Sequence, residues 1–149
     1  MAVLQSTFVE DPAYAYAGME ADGELSNIIT RTLESATCGF GKAVYRGTND
    51  RGVVTTPAAG TLLGFTIANK GLPVTAARAA DTFITGDSLR IKNRGKLWVS
   101  AAVAVADGDP VYVTSAGAIT NSSSGNTAAT GWEFDETIAA AGLARIVRR

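Results

Sequence analysis

A chain of 149 residues with a formal net charge of −1, no histidine and a single cysteine is long enough to bury a core of its own, and it has no internal disulfide to help it do so. The missing histidine excludes Ser-His-Asp and Cys-His catalysis and every histidine-containing zinc site. A sequence pI of about 5.4 argues against a dedicated nucleic-acid-binding domain, and no stretch approaches the ~18 consecutive apolar residues of a membrane span.

The acids are unevenly placed. Before Arg31 the charged side chains are Glu10, Asp11, Glu20, Asp22 and Glu24, so this leader carries −5 and the remainder +4. Through about Leu25 the apolar residues follow neither period 2 nor period 3.6, and small residues around Tyr14-Ala15-Tyr16-Ala17-Gly18 leave the leader little to bury by itself. The expectation is an extended arm over residues 1–25, mobile in solution, that lies on another surface through Phe8, Tyr14, Tyr16 and Met19. With no basic region at its start, the chain reads as soluble and made in the cytoplasm.

Residues 26–149 read as one all-β domain, because short runs of Val, Ile, Thr and aromatics alternate with Gly, Asn, Asp and Pro. Ile28 to Leu33 is the first run. Phe40 to Arg46 and Val53 to Thr56 flank the turn-rich Gly47 to Gly52 and form a hairpin, and Leu62 to Ile67 follows as another strand. Leu72 to Thr82 is alanine-rich, but Pro73 favours a loop. Leu89-Arg90-Ile91-Lys92 alternates, and the spacing predicts a turn at Asn93-Arg94-Gly95 and a return through Lys96-Leu97-Trp98-Val99, with alternation continuing to Val105. Val111-Tyr112-Val113 pairs with Ala118-Ile119-Thr120. Residues 121–127 form an exposed loop, and a terminal strand covers Leu143 to Arg149.

Motifs for chemistry are weak. Gly39-Phe40-Gly41-Lys42 has Ala43 where a phosphate-binding loop needs a hydroxyl and Ala36 where it needs its first glycine. Asp107-Gly108-Asp109 lacks the further ligands of a calcium loop and reads as a turn. Glu133, Asp135 and Glu136 beside Trp132 meet the geometry of a glycosidase only loosely, and Cys38 has no base to activate it. No cofactor, metal or catalytic residue is expected. The densest basic group, Arg90, Lys92, Arg94 and Lys96, sits on the expected hairpin and suits an acidic protein surface. Trp98 points away from Leu97 and Val99, where it either anchors an interface or is covered by the leader.

The run from Thr30 to Arg149 resembles the structural cement proteins of tailed phages. The likeness rests on the order of Phe40-Gly41-Lys42-Ala43-Val44, Gly86-Asp87-Ser88-Leu89, Lys92-Asn93-Arg94-Gly95-Lys96-Leu97-Trp98-Val99, Gly108-Asp109-Pro110-Val111-Tyr112-Val113, Trp132-Glu133-Phe134-Asp135 and Gly142-Leu143-Ala144. The resemblance implies a jelly-roll-like antiparallel β-sandwich with an extended N-terminal arm, bound as a homodimer to the major capsid protein on the outer surface of the virion, without nucleic acid or membrane as partner. The alternatives are a carbohydrate-binding β-sandwich and a tail or baseplate component.

Overall fold

A computed structural model describes residues 13–57 and 60–149. Its strands are β1 (Asn27–Leu33), β2 (Thr37–Gly39), β3 (Ala43–Arg46), β4 (Gly52–Val54), β5 (Leu62–Thr66), β6 (Thr82–Ile84), β7 (Ser88–Ala101), β8 (Pro110–Val113), β9 (Ile119–Thr120), β10 (Thr127–Phe134) and β11 (Gly142–Arg148). The all-β class is as expected.

The expected hairpin at Asn93-Arg94-Gly95 is instead the middle of one 14-residue strand, β7. The hydrophobic pattern explains why. Leu89, Ile91, Leu97, Val99 and Ala101 are all buried and all odd-numbered, so the period-2 alternation passes through residues 93–95 without a change of phase. Gly95, at φ +109°, bends the strand without reversing it, and the pairing with β1 slips by one residue at the same point, between Asn27 and Ile28. Beyond Ala101 the strand ends, leaving Val103 exposed and Val105 buried.

Nine strands run in the order β1-β4-β3-β5-β7-β11-β10-β8-β9, and two further pairings, β1 with β7 and β7 with β9, close this sheet at both ends. The result is two five-stranded rings that share β7, not the two facing open sheets of a jelly roll. Each ring includes one parallel contact, Thr32 of β1 beside Gly52 of β4 in the first and Ala101 of β7 beside Ile119 of β9 in the second. Ring closure removes most strand edges, and with them the edge-pairing argument for self-association. β2 and β6 form a separate two-stranded ribbon. Cys38 lies buried in it, and burial pushes its thiol pKa up to about 11, the behaviour of an inert packing residue.

Each ring has a core. Leu33, Val44, Val53, Leu63, Leu89 and Ile91 gather in the first with Phe40 and Phe83, whereas Leu97, Val99, Val111, Ile119, Phe134 and Ile146 gather in the second. β3 and β5 tie the two together, since Val44 and Leu63 face the first core while Tyr45 and Phe65 face the second. Residues 63 and 65 would ordinarily share a face. Gly64, at φ +146°, breaks the alternation and turns Phe65 towards Trp132, with ring centroids 4.9 Å apart.

A Cβ on Gly64 would collide with the Lys92 carbonyl oxygen of the neighbouring strand, and the backbone conformation disfavours any L side chain. Gly64→Ala is therefore expected to destabilise the protein by at least ~3 kcal/mol, which lowers Tm by roughly 6–12 °C for a domain of this size. Thermal unfolding followed by circular dichroism checks this. A change of under a degree would mean that the bulge is not a structural requirement.

Candidate functional site

The even-numbered positions of β7 carry Arg90, Lys92, Arg94, Lys96 and Trp98 on the face away from the two cores. The leader runs against this strand. The Gly18 amide donates to the Trp98 carbonyl (2.8 Å), the Trp98 amide to the Met19 carbonyl (2.9 Å) and the Ala21 amide to the Lys96 carbonyl (3.3 Å). β11 pairs along the same stretch of β7.

The leader's acids meet the cations of β7. The Lys92 ammonium is fully buried, paired with Glu20 and donating to the Ser26 hydroxyl at 2.7 Å. Arg90 lies 3.7 Å from the same carboxylate. Lys96 reaches Asp22 (3.4 Å), Glu24 (2.9 Å) and Asp135 (3.2 Å). The Glu24 amide, followed by Lys96, holds the Asp22 carboxyl below its ordinary range; Lys96 and then Arg149 do the same for Glu24. Hydrogen bonds from Lys96 to Glu24 and Asp135 raise the pKa of the lysine in turn. The acidic leader and basic body visible in the sequence are thus the two halves of one contact.

The nine residues expected to form a partner interface separate on this geometry. Phe8 lies outside the described residues. Lys92 and Lys96 turn to the chain's own carboxylates, and Trp98 is 8% exposed, with Tyr14 edge-on at 5.4 Å and the Arg145 guanidinium 5.6 Å from its ring. Of the two readings of Trp98, coverage by the leader is the one observed. Met19 is half-buried, and Arg90 and Arg94 are exposed. Tyr14 remains 74% exposed and Tyr16 41%, the latter beneath the Lys70 ammonium at 4.6 Å. The leader is seated by Ala15, by backbone hydrogen bonds and by its acids rather than by its tyrosines.

Residues passed over in the sequence complete the arrangement. Arg149 bridges Glu24, Glu133 and Asp135, and Arg145 lies 3.8 Å from Glu136. The carboxylates considered for glycoside chemistry are therefore held by arginines. The useful signal was the run of acids at Glu133, Asp135 and Glu136 followed ten residues later by Arg145, Arg148 and Arg149, which a β10–β11 pairing brings face to face. Asp109 accepts from the Ala106 amide and the Asn121 side chain, as a turn residue does. Among the described residues no group of His, Cys, Asp and Glu is placed to hold a metal ion, and no helix is long and apolar enough to cross a membrane.

Two fused β-rings with a strapped leader and a surface rich in internal ion pairs make an architecture suited to contact with other proteins. Over residues 4–149 the sequence matches the family described as structural cement protein (E217 gp24/Pam3 gp6). The chain belongs to this family of phage cement proteins, and its role is that of a structural cement bound to a phage capsid. The fold is similar to that of a chain in the capsid of Myoviridae phage XM1, with a TM-score of 0.76 and 18% identity over 99% of this chain and 97% of that one. A weaker similarity, TM-score 0.47 and 12% identity, links 83% of this chain to 94% of the head fibre gp8.5 N base of bacteriophage phi29. No curated relative matches the sequence.

Two predictions concern the strap. Glu20→Gln leaves the buried Lys92 ammonium without its counter-ion, and a stranded buried charge costs about 3–5 kcal/mol; partial exposure of Glu20 reduces this to about 2–3 kcal/mol. Lys92→Met leaves a carboxylate that can face water, so denaturant unfolding should show the milder loss there. Equal losses for the two variants would contradict the asymmetry.

The second prediction concerns pH. A carboxyl with a folded pKa below its free value stabilises the fold above that free value and ceases to do so as pH falls through the folded pKa, whereas a raised lysine pKa contributes below its free value. The strap is therefore at full strength from about pH 4.5 to 10.5 and weakens in acid, the Glu24 contribution declining below its ordinary value of 4.5 and that of Asp22 below 3.8. Hydrogen-exchange protection of the Trp98 amide, compared at pH 6 and pH 3 after correction for intrinsic rates, should fall while that of Ile91 persists.

Proposed function

We propose that the protein sits on the outer surface of the capsid and clamps neighbouring major capsid protein subunits, with one ring of strands resting on each. The observation that carries this reading is the uninterrupted β7. At ~3.3 Å per residue its 14 residues span on the order of 40 Å, and both cores are built on it. A clamp must carry load between two footholds without flexing between them. A strand shared by two closed rings meets that need, whereas a linker between separate domains would yield. Many copies per shell, each adding modest contacts, together raise the barrier to parting of subunits.

The reading includes no enzymatic activity and neither nucleic acid nor membrane as partner, with synthesis in the bacterial host cytoplasm. Attachment as a homodimer fits the same picture, through side-chain surfaces because closed rings offer few free edges. The backbone and acids of the leader from Ala13 onward are occupied with its own body, so the contribution of an arm to attachment falls to the exposed Tyr14 and Tyr16 and to the residues before Ala13, Phe8 among them. A carbohydrate-binding role finds little support, since Tyr14 stands at 69° to Trp98 and the two do not make a flat platform.

The test uses purified shells that lack the protein. Adding it at 100 times its dissociation constant should stabilise each occupied site by about 2.7 kcal/mol, read as a rise in the shell's disruption temperature by scanning calorimetry. Electron microscopy of the same shells locates the added density, and its mass per site distinguishes one copy from two. Density on the inner surface, or bound protein with an unchanged disruption temperature, would sink the proposal.

A further inference from the structure

Where β7 bends from one ring into the other, a cleft of about 500 Å³ is lined by Asn27, Asn93, Arg94, Arg148 and Arg149. Every other cation of β7 has a carboxylate: Arg90 and Lys92 share Glu20, and Lys96 has three. Arg94 makes neither an ion pair nor a side-chain hydrogen bond among the described residues. Among the described residues the Arg148 side chain donates to the Asn93 carbonyl alone, at 3.3 Å from Nη1. That bond and the antiparallel register, which sets Arg148 against Gly95, hold the guanidinium beside the bend. Asn93 is fixed in turn by donating to the Leu63 carbonyl at 2.7 Å. Arg149 forms a wall of the cleft but is already paired with Glu24, Glu133 and Asp135.

We infer that this cleft is a receptor for carboxylates, and that Arg94 and Arg148 together receive an acidic segment of the capsid protein at the junction between the two rings. The inference rests on the capsid-clamp reading and names the chemistry of one of its contacts. Two arginines with most of their ten N–H donors uncommitted suit a pair of carboxylates, which they can bind in bidentate fashion. The surroundings decide against a nucleic acid. Glu24 and Glu133 flank the cleft through Arg149, and a phosphate chain entering it would run past these charges, whereas one acidic loop can place its carboxylates between the arginines alone. In the sequence Arg94 stands among the cations of β7. The register of β11 instead sets it with the arginines at the end of the chain.

The experiment measures binding of full-length protein to cement-free shells, and separately to a fluorescein-labelled hexaglutamate peptide by anisotropy. Arg94→Glu should weaken both by about tenfold or more, and Arg94→Lys, which keeps the charge and loses the bidentate fork, by about threefold. Arg51→Glu, the same charge change on an exposed loop of the first ring, should alter either by less than about twofold. Melting temperatures of all variants within 2 °C or so of the parent show that the fold is intact. Shell binding by Arg94→Glu equal to the parent's would overturn the carboxylate cleft and leave the clamp standing, whereas a parent protein that does not bind shells removes the clamp itself. A single-stranded DNA 12-mer that displaces the peptide at lower concentration than free hexaglutamate would also overturn the inference, in favour of phosphate.

Discussion

A lysine ammonium with no exposure to water is costly in any fold unless a counter-ion reaches it, and Lys92 occupies such a position in the middle of the longest strand. Its partner is Glu20 of the leader, with Ser26 supplying a second oxygen. Satisfying this one charge obliges the leader to return along β7. The other leader contacts follow from that course: Gly18 and Met19 exchange backbone hydrogen bonds with Trp98, Asp22 and Glu24 fall against Lys96, and Tyr14 comes to rest on the indole. The constraint extends to the backbone of its neighbours. A side chain on Gly95 would press on the Lys92 aliphatic stem, and one on Gly64 would meet its carbonyl.

The same strand explains how a small protein can serve as a cement. Two rings built separately and joined by a loop would move against each other, because interfaces between domains within a chain are generally small and polar. Here β7 supplies a wall to each ring, and β3 and β5 present one face to each core. A shift of one ring relative to the other would have to break ladder hydrogen bonds and repack Phe65 against Trp132. Loops are tied down by local polar contacts as well. The Glu34 carboxylate accepts the amides of Thr48 and Asn49, and Arg78 forks onto Asp87 beneath the long 70–87 connection. Rigidity of this kind reduces the entropy lost on attachment, so that contact area is converted into affinity.

Surface electrostatics show the division of labour. Most of the basic side chains near β7 and β11 are consumed internally, by the leader or by the acids around Glu133 and Asp135. Charge density in the sequence therefore overstates what the surface offers to a partner. Beside β7 and β11, the cleft at the bend and the two exposed tyrosines of the leader stay available among the described residues.

The all-β class, most strand positions, the hairpins through Gly52 and Gly117, and the absence of histidine-based chemistry were legible in the sequence alone, because alternation, turn residues and missing functional groups are local properties. The split between an acidic leader and a basic body was equally plain. The sequence did not tell that the two halves embrace each other, nor that Asn93-Arg94-Gly95 is a bend within a strand. A glycine-containing polar triplet satisfies a turn and a kink alike, and only the pairing of both flanks with different partners, β1 and β5 before it and β11 after it, selects the kink. Ring closure was beyond reach for a related reason. The parallel contacts between β1 and β4 and between β7 and β9 join residues about 20 apart by one or two registered pairs each, and pairings so short leave no pattern in composition. Which arginines stand free was likewise decided by strand register, since β11 lays Arg148 opposite Gly95, one residue along β7 from Arg94.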